Sequence, residues 1–152
     1  MTTIHEATKE DIPYMVAAGK RMFEESRFRK FSFDTDKATK LGDQTIGTDF
    51  CVAYVARNDE DQPIGFIMGL IYPHIWGDHK QSIDVAFYVD KEHRYGGAGV
   101  LLAKAYVDET KRRGIDDILI GVSSSINNEA SKHVMEKIGF QSIGFVMAYG
   151  VE

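Results

Sequence analysis

Arg94, Tyr95, Gly96, Gly97, Ala98 and Gly99 carry the clearest chemical signal in this chain, set between an apolar run ending at Val89 and an amphipathic run starting at Val100. A strand, a glycine turn and a helix start, in that order, let several backbone N–H groups converge on one ligand with no side chain in the way. The helix N-terminus adds partial positive charge, and the combination suits a phosphate. Spacing excludes two familiar glycine loops. The dinucleotide fingerprint G-x-G-x-x-G would need glycine where Leu102 stands, and a P-loop would need a Gly-Lys-Ser/Thr ending, which the chain lacks.

The elements that must position this loop follow from periodicity. Thr2 to Ala7 reads as a short strand, and Thr8 with Asp11 forms a capping box for a helix whose Ile12, Met15, Val16, Met22 and Phe23 share a face. Pro13 falls early enough in that helix to be tolerated. Residues 27–47 are polar and carry two glycines, which argues against one long element. Phe50 to Arg57 and Ile64 to Tyr72 are apolar runs separated by Asn58-Asp59-Glu60-Asp61-Gln62-Pro63, the pattern of an antiparallel hairpin.

Gln81 to Val89 reads as the next strand, with Ile83, Val85, Phe87 and Val89 on one face and Asp84, Ala86 and Tyr88 on the other. A helix from Val100 to Arg113 ends in Lys111, Arg112 and Arg113 before Gly114, cations and a stop that suit a helix C-terminus. Asp117 to Val122 reads as a strand, Asn127 to Ile138 as a helix, and Phe140 onward as a final strand or short hairpin. These elements predict a mixed sheet with helices on both faces, of α/β or α+β class.

The spacing R-x-x-G-x-G, as Arg94, Gly97 and Gly99, resembles the acyl-CoA pyrophosphate loop of the GNAT-type N-acetyltransferase superfamily. Ile4, Ala7, Thr8 and Asp11 are similar to that family's opening I-x-x-A-T-x-x-D. Asn128, Ser131 in place of the usual alanine, Gly139 and Phe140 are similar to its N-x-x-A helix and following Gly-Phe. The resemblance spans almost the whole chain in family order. It implies a GNAT-like central mixed, splayed sheet flanked by helices, with residues 1–152 forming one acyl-CoA-binding domain.

It also implies acetyl-CoA as co-substrate, its diphosphate held by residues 94–99 and its pantetheine or phosphate region met by Asn128. Backbone N–H groups around Tyr88 and Val89 would polarise the thioester carbonyl where the sheet splays, and residues 27–47 would help wall the acceptor site. For Asn128 an ordinary helix cap is the alternative. Lys132 is placed either near the nucleotide 3′-phosphate or simply in solvent.

Composition agrees with a soluble enzyme-sized domain: 152 residues, 43% hydrophobic. A net charge of −5 with scattered Lys and Arg argues against a nucleic-acid surface and favours an amine-bearing partner, a small molecule or a protein amine. The lone Cys51 can form no internal disulfide, and no apolar segment approaches a membrane span or a secretory leader, so the expected location is cytoplasmic.

Transfer from a thioester to an amine needs no enzyme nucleophile, only positioning, amine deprotonation, oxyanion stabilisation and departure of the thiolate. A lysine-like amine is neutral in only roughly one part in a few thousand at pH 7, so a nearby base helps. Asp84, an acid on an otherwise apolar strand just before the loop, is the first candidate for that base, with a salt-bridged strand residue as the alternative. Many family members carry a tyrosine four residues before the Gly-Phe pair, near the CoA sulfur; here that position is Met135, which cannot donate a proton. The thiolate therefore leaves to water, or Tyr149, Tyr88 or His133 takes the role, or the protein is a catalytically silent acyl-CoA-binding or interaction module.

Between the third and fourth strands, His74, Trp76, Asp78 and His79 share one loop. Two histidines without a third ligand at a recognisable spacing do not make a metal site, while Trp76 could stack on a substrate cation or plug a sheet end. Phe140 is followed by only a short stretch to Glu152, too short for the two full strands that usually close this fold. An exposed sheet edge would need covering, and strand pairing between two copies, giving a homodimer, is one remedy.

Overall fold

A computed structural model describes residues 1–150. Its strands are β1 (Thr3–Glu6), β2 (Cys51–Arg57), β3 (Pro63–Pro73), β4 (Lys80–Val89) and β5 (Asp117–Leu119). Its helices are α1 (Ile12–Glu25), α2 (Thr35–Thr45), α3 (Ala98–Arg112) and α4 (Asn128–Lys137). The sheet runs β1-β2-β3-β4-β5. The first three pairings are antiparallel and β4–β5 is parallel, because α3 crosses over between those two strands.

Central strands β2 and β3 are apolar on both faces because helices cover both. One core packs α1 on the sheet through Ile12, Met15 and Ala18 against Val55, Phe66, Met68 and Tyr88. The other packs α3 through Ala98, Leu102 and Tyr106 against Val52, Ile67 and Val89. The Asp11 carboxylate accepts from the Thr8 backbone N–H at 2.9 Å and from Arg57 Nη2 at 2.6 Å, tying the entry to α1 onto β2. Residues 27–47 resolve into a short 3₁₀ turn, Arg27–Lys30, and α2, whose N-terminus is capped by Asp34 accepting from the Lys37 N–H at 3.0 Å.

Strict alternation along β4 does not hold. Met68 pairs with Ala86 and Gly69 with Asp84, so Val85 is the extra residue of a β-bulge. Below the bulge Ser82 faces α3, its Oγ 2.6 Å from Tyr106 Oη, and above it Phe87 and Val89 face α3 while Ala86 and Tyr88 face α1. Asp84 therefore shares the face of Ser82 rather than that of Ala86 and Tyr88. Ile83 and Val85 remain partly open, at 38% and 42% exposure.

β5 is also shorter than its apolar pattern suggests. It pairs with β4 only over Gln81–Ile83, and beyond that the two strands separate. The physical reason is local: the Gly121 N–H donates to Asp84 Oδ1 at 2.7 Å, a side chain taking a hydrogen bond that a ladder would have given to backbone. Residues 140–150 form no strand or hairpin. Ile143, Phe145, Val146, Met147 and Tyr149 along this tail are at least 80% exposed, since no sheet edge of the same chain receives them.

Tyr106 reaches its place under β4 only because residue 69 is glycine, where a Cβ would lie 2.0 Å from Tyr106 Oη. Gly69→Ala is expected to cost at least about 1–3 kcal/mol in urea unfolding, and Tyr106→Phe in the same chain to restore part of it. A Gly69→Ala variant as stable as the parent would show that α3 is not held this tightly.

Candidate active site

The loop that leads into α3 is open to solvent where a ligand would approach. Lys91–His93 makes a 3₁₀ turn, the Gly96 N–H donates to His93 O at 3.3 Å, and Gly97 caps α3 with φ +83°. A left-handed φ favours glycine, and nothing lies within 4 Å of the point where a Cβ on Gly97 would stand. Ala98 is buried and anchors the first turn, whereas Tyr95 projects fully into solvent. No side chain caps this terminus, so the N–H groups of its first turn, before Leu101 donates to Gly97 O at 3.2 Å, are free to meet an anion.

Arg94 does not point outward with them. Its Nε donates to Val89 O at 2.9 Å, its Nη2 donates to both Glu25 carboxylate oxygens at 3.1 and 2.8 Å, and its guanidinium lies 5.1 Å from the centre of the Tyr88 ring. The Tyr88 hydroxyl also donates to Glu25. Burial, reinforced by Glu25, pushes the Tyr88 phenol up to about 12, so it holds its proton at neutral pH. Burial also works to raise the Glu25 carboxyl, but the bonds from Tyr88 and Arg94 outweigh it and hold that group below its ordinary value. A second cluster lies alongside: Asp90 accepts from Tyr14 Oη at 3.0 Å and from Arg21 Nε and Nη2 at 3.0 and 2.7 Å. Glu25, Tyr14, Arg21 and Asp90 carry no local signal in the sequence, because their partners are 63, 69 or 76 positions away.

Next to the loop lies the gap between the parted strands. The stretch of β4 from Asp84 to Val89 has no partner on its β5 side, leaving edge amides near Tyr88 and Val89 available there. Asp84 sits at the mouth of the gap, half-buried, its carboxyl raised above the ordinary value by burial and partly drawn back by the Gly121 N–H. Asn128 is exposed at the start of α4, and its Oδ1 accepts from the Ser125 N–H at 3.0 Å, while the neighbouring Asn127 caps the helix. The loop before α4 is joined to the turn after α1 by the Arg27 N–H donating to Ser124 O at 2.8 Å.

Met135 is buried beneath α4, Lys132 pairs with Glu136 at 3.5 Å, and His133 is exposed. Tyr149, fully exposed on the tail, packs against no part of its own chain. Asp84, Tyr88 and Val89 thus lie on the strand that leads into residues 94–99, whereas Tyr149 lies on the exposed tail.

The remaining chemistry lies elsewhere. His74 and His79 stack at 4.3 Å at the far end of β4, with Trp76 85% exposed between them. Among the described residues no group of three or more His, Cys, Asp or Glu could hold a metal ion, and no helix is long and apolar enough to cross a membrane. A polar cavity of about 490 Å³ lined by Thr48, Asp49, Glu109, Arg112 and Arg113 lies at the C-terminal end of α3, opposite the glycine loop. Its walls are paired to one another: hydrogen bonds from Arg112, then Arg113, hold the Glu109 carboxyl down to about 2, and Arg113 donates to Asp49 O and Cys51 O at 3.1 and 2.9 Å.

Residues 19–140 match the acetyltransferase (GNAT) family, and the chain belongs to that family. Solved structures share its fold. A predicted acetyltransferase from Clostridium acetobutylicum, determined with acetyl-CoA, superposes with a TM-score of 0.75 at 18% identity, over 99% of this chain and 96% of that one. Aminoglycoside 6′-N-acetyltransferase AAC(6′)-Ih from Acinetobacter baumannii gives 0.74 at 15%, over 98% and 97%. AAC(6′)-Iy in complex with the bisubstrate analogue CoA-S-monomethyl-acetylneamine gives 0.78 at 18%, over 98% and 97%. No curated protein sequence matches the chain.

Two glycines of the loop differ in why they are needed, and substitution separates them. Gly97→Ala must adopt a left-handed φ and is expected to lose about 1–2 kcal/mol of stability. At Gly99 a Cβ would meet Phe87 at an ordinary 3.6 Å, so Gly99→Ala should leave stability within about 0.5 kcal/mol of the parent. Equal losses for the two in denaturant unfolding would contradict this reading.

Proposed function

We propose that this GNAT-family protein transfers the acetyl group of acetyl-CoA to a primary amine by direct attack in a ternary complex, residues 1–152 acting as one acyl-CoA-binding domain. The observation that carries the reading is the open, uncapped glycine turn at the N-terminus of α3, adjoining strands that part at Asp84. The fit is physical: a Cβ at Gly97 would project into empty space, and the first-turn amides lack intrahelical partners. Backbone N–H groups from Tyr95, Gly97, Ala98 and Gly99 would hold the diphosphate, the Gly96 N–H being taken by His93 O, while the edge amides near Tyr88 and Val89 would receive the pantetheine arm and the thioester carbonyl.

Bound acetyl-CoA supplies an activated thioester, so the chain needs no nucleophile of its own. Asp84 would take a proton from the acceptor ammonium; the amine nitrogen then bonds to the acyl carbon as the carbon–sulfur bond breaks, the electron pair leaves with sulfur, and the nitrogen gives its second proton to solvent to leave the neutral amide. Solvent water protonates that sulfur in this reading, because Tyr88 donates its proton to Glu25, Met135 has none to give, and Tyr149 stands away from the opening. Asn128 would meet the ligand through its amide NH₂, its carbonyl oxygen being occupied by the Ser125 N–H.

The acceptor is an amine-bearing small molecule or a protein amine, neither nucleic acid nor membrane, in a cytoplasmic setting; aminoglycosides, named for AAC(6′)-Ih and AAC(6′)-Iy, head the panel to be tried. A second reading, a silent acyl-CoA-binding module, is favoured by Met135 alone. The two separate in one experiment. Acetyl-CoA should raise the melting temperature under both, but free thiol should appear on addition of an amine only under the first.

Asp84→Asn keeps an oxygen for the Gly121 N–H while removing the charge, and should lower kcat by about 10²-fold or more with little loss of stability. Because burial raises the Asp84 carboxyl, the acidic limb of kcat/KM should lie above the ordinary aspartate range. The sign for folding is the reverse: a raised carboxyl favours the folded state when protonated, and that contribution disappears as pH climbs through its folded value. An active Asp84→Asn variant with an unshifted limb would remove Asp84 from the mechanism.

The exposed tail supports a homodimer. Five large apolar residues between Ile143 and Tyr149 lie free beside a sheet whose outer strand, β5, is three residues long. Pairing of this tail with a second copy would cover both and could carry Tyr149 toward the partner's opening. Light scattering should show a dimer for the full chain and a monomer for a chain ending at Phe140; a monomeric full chain would dismiss the idea.

A further inference from the structure

Between the loop and α1 lies a set of contacts that the acetyl-transfer reading does not use. Glu25 closes α1, and its carboxylate receives both the Arg94 guanidinium and the Tyr88 hydroxyl. Arg94 in turn reaches back to Val89 O, bridging the end of β4 to the residue just before the glycines. The hydrogen bonds of the guanidinium are therefore directed at α1 and β4. A planar guanidinium held by two carboxylate bonds and one carbonyl bond has little freedom to turn, so it sets the course of the chain from Val89 into Gly96.

We infer that Glu25 is a positioning residue for the coenzyme A diphosphate, acting through Arg94 to hold the glycine loop in its receiving geometry. The inference rests on the acyl-CoA reading of that loop. The arginine contributes as a strut rather than as a phosphate ligand, and the carboxylate on α1 is its fixed end. The neighbouring Asp90 cluster, with Tyr14 and Arg21, holds the same segment to the same helix but does not touch Arg94, so it cannot substitute. Because α1 leads directly into residues 27–30 and, through Arg27, to the loop before α4, the strut also joins the acceptor wall to the cofactor loop.

The test is calorimetric titration of coenzyme A into the full-length parent, Glu25→Ala, Glu25→Gln, Arg94→Ala and the Glu25/Arg94 double alanine variant, with the ligand-free melting temperature of each. The expected result is a tenfold or greater weakening of coenzyme A binding in each single variant and no further weakening in the double variant, since both changes remove one strut. Glu25→Gln, which is isosteric, should show the loss even if Glu25→Ala folds poorly. A fall in melting temperature with unchanged affinity in Glu25→Gln would assign the cluster to stability alone and overturn the proposal, as would losses that multiply in the double variant. Failure of the parent itself to bind coenzyme A would instead refute the acyl-CoA reading.

Discussion

The hydrogen bond from the Gly121 N–H to the Asp84 carboxylate marks where β4 and β5 stop being a sheet, and the site depends on that separation. Two parallel strands that stayed paired to their ends would satisfy each other's amides and close the space between them. Here the bulge at Val85 turns β4, the carboxylate satisfies the Gly121 amide just beyond β5 that would otherwise reach for backbone, and the last residues of β4 run on alone. One acidic side chain thus has both a structural partner and a position at the mouth of the opening. Its desolvation follows from the same geometry, which is why its affinity for protons rises.

Around this gap the molecule leaves backbone amides open and uses side chains to brace the segments that carry them. Arg94, Tyr88, Asp90, Arg21 and Tyr14 spend their polar groups on one another and on Glu25, and these part-buried, charge-assisted contacts fix α1 against the end of β4. Such pairs are more than surface decoration because several share partners, and Asp90 is sheltered although Arg21 is 44% exposed. A site built from amides held by a rigid frame suits chemistry in which the reacting bond is already activated and orientation is what remains to be supplied.

The glycine loop was legible because its signal is local: a strand pattern, closely spaced glycines and a helix pattern in immediate succession. The same is true of the hairpin between β2 and β3 and of the Thr8–Asp11 box. The bulge was not, since one extra residue leaves an apolar strand looking apolar and only the partner strand reveals the shift. Nor were Asp84–Gly121 and Glu25–Arg94, whose partners lie 37 and 69 positions apart. α2 had a cue in Asp34, a side chain suited to cap a helix, but its neighbouring polar residues concealed it. The tail read as a strand for a sound reason, its run of apolar residues, yet a strand exists only where an edge receives it.

In chain order that tail follows every strand of the sheet and every residue of both cores. Nothing in β1 to β5 or in the cores waits for it, so the body can complete its folding as a single chain. Until the apolar stretch finds cover, newly made molecules carry an adhesive end whose fate is decided by encounter rate, and crowded synthesis at high expression would favour clumping over orderly assembly.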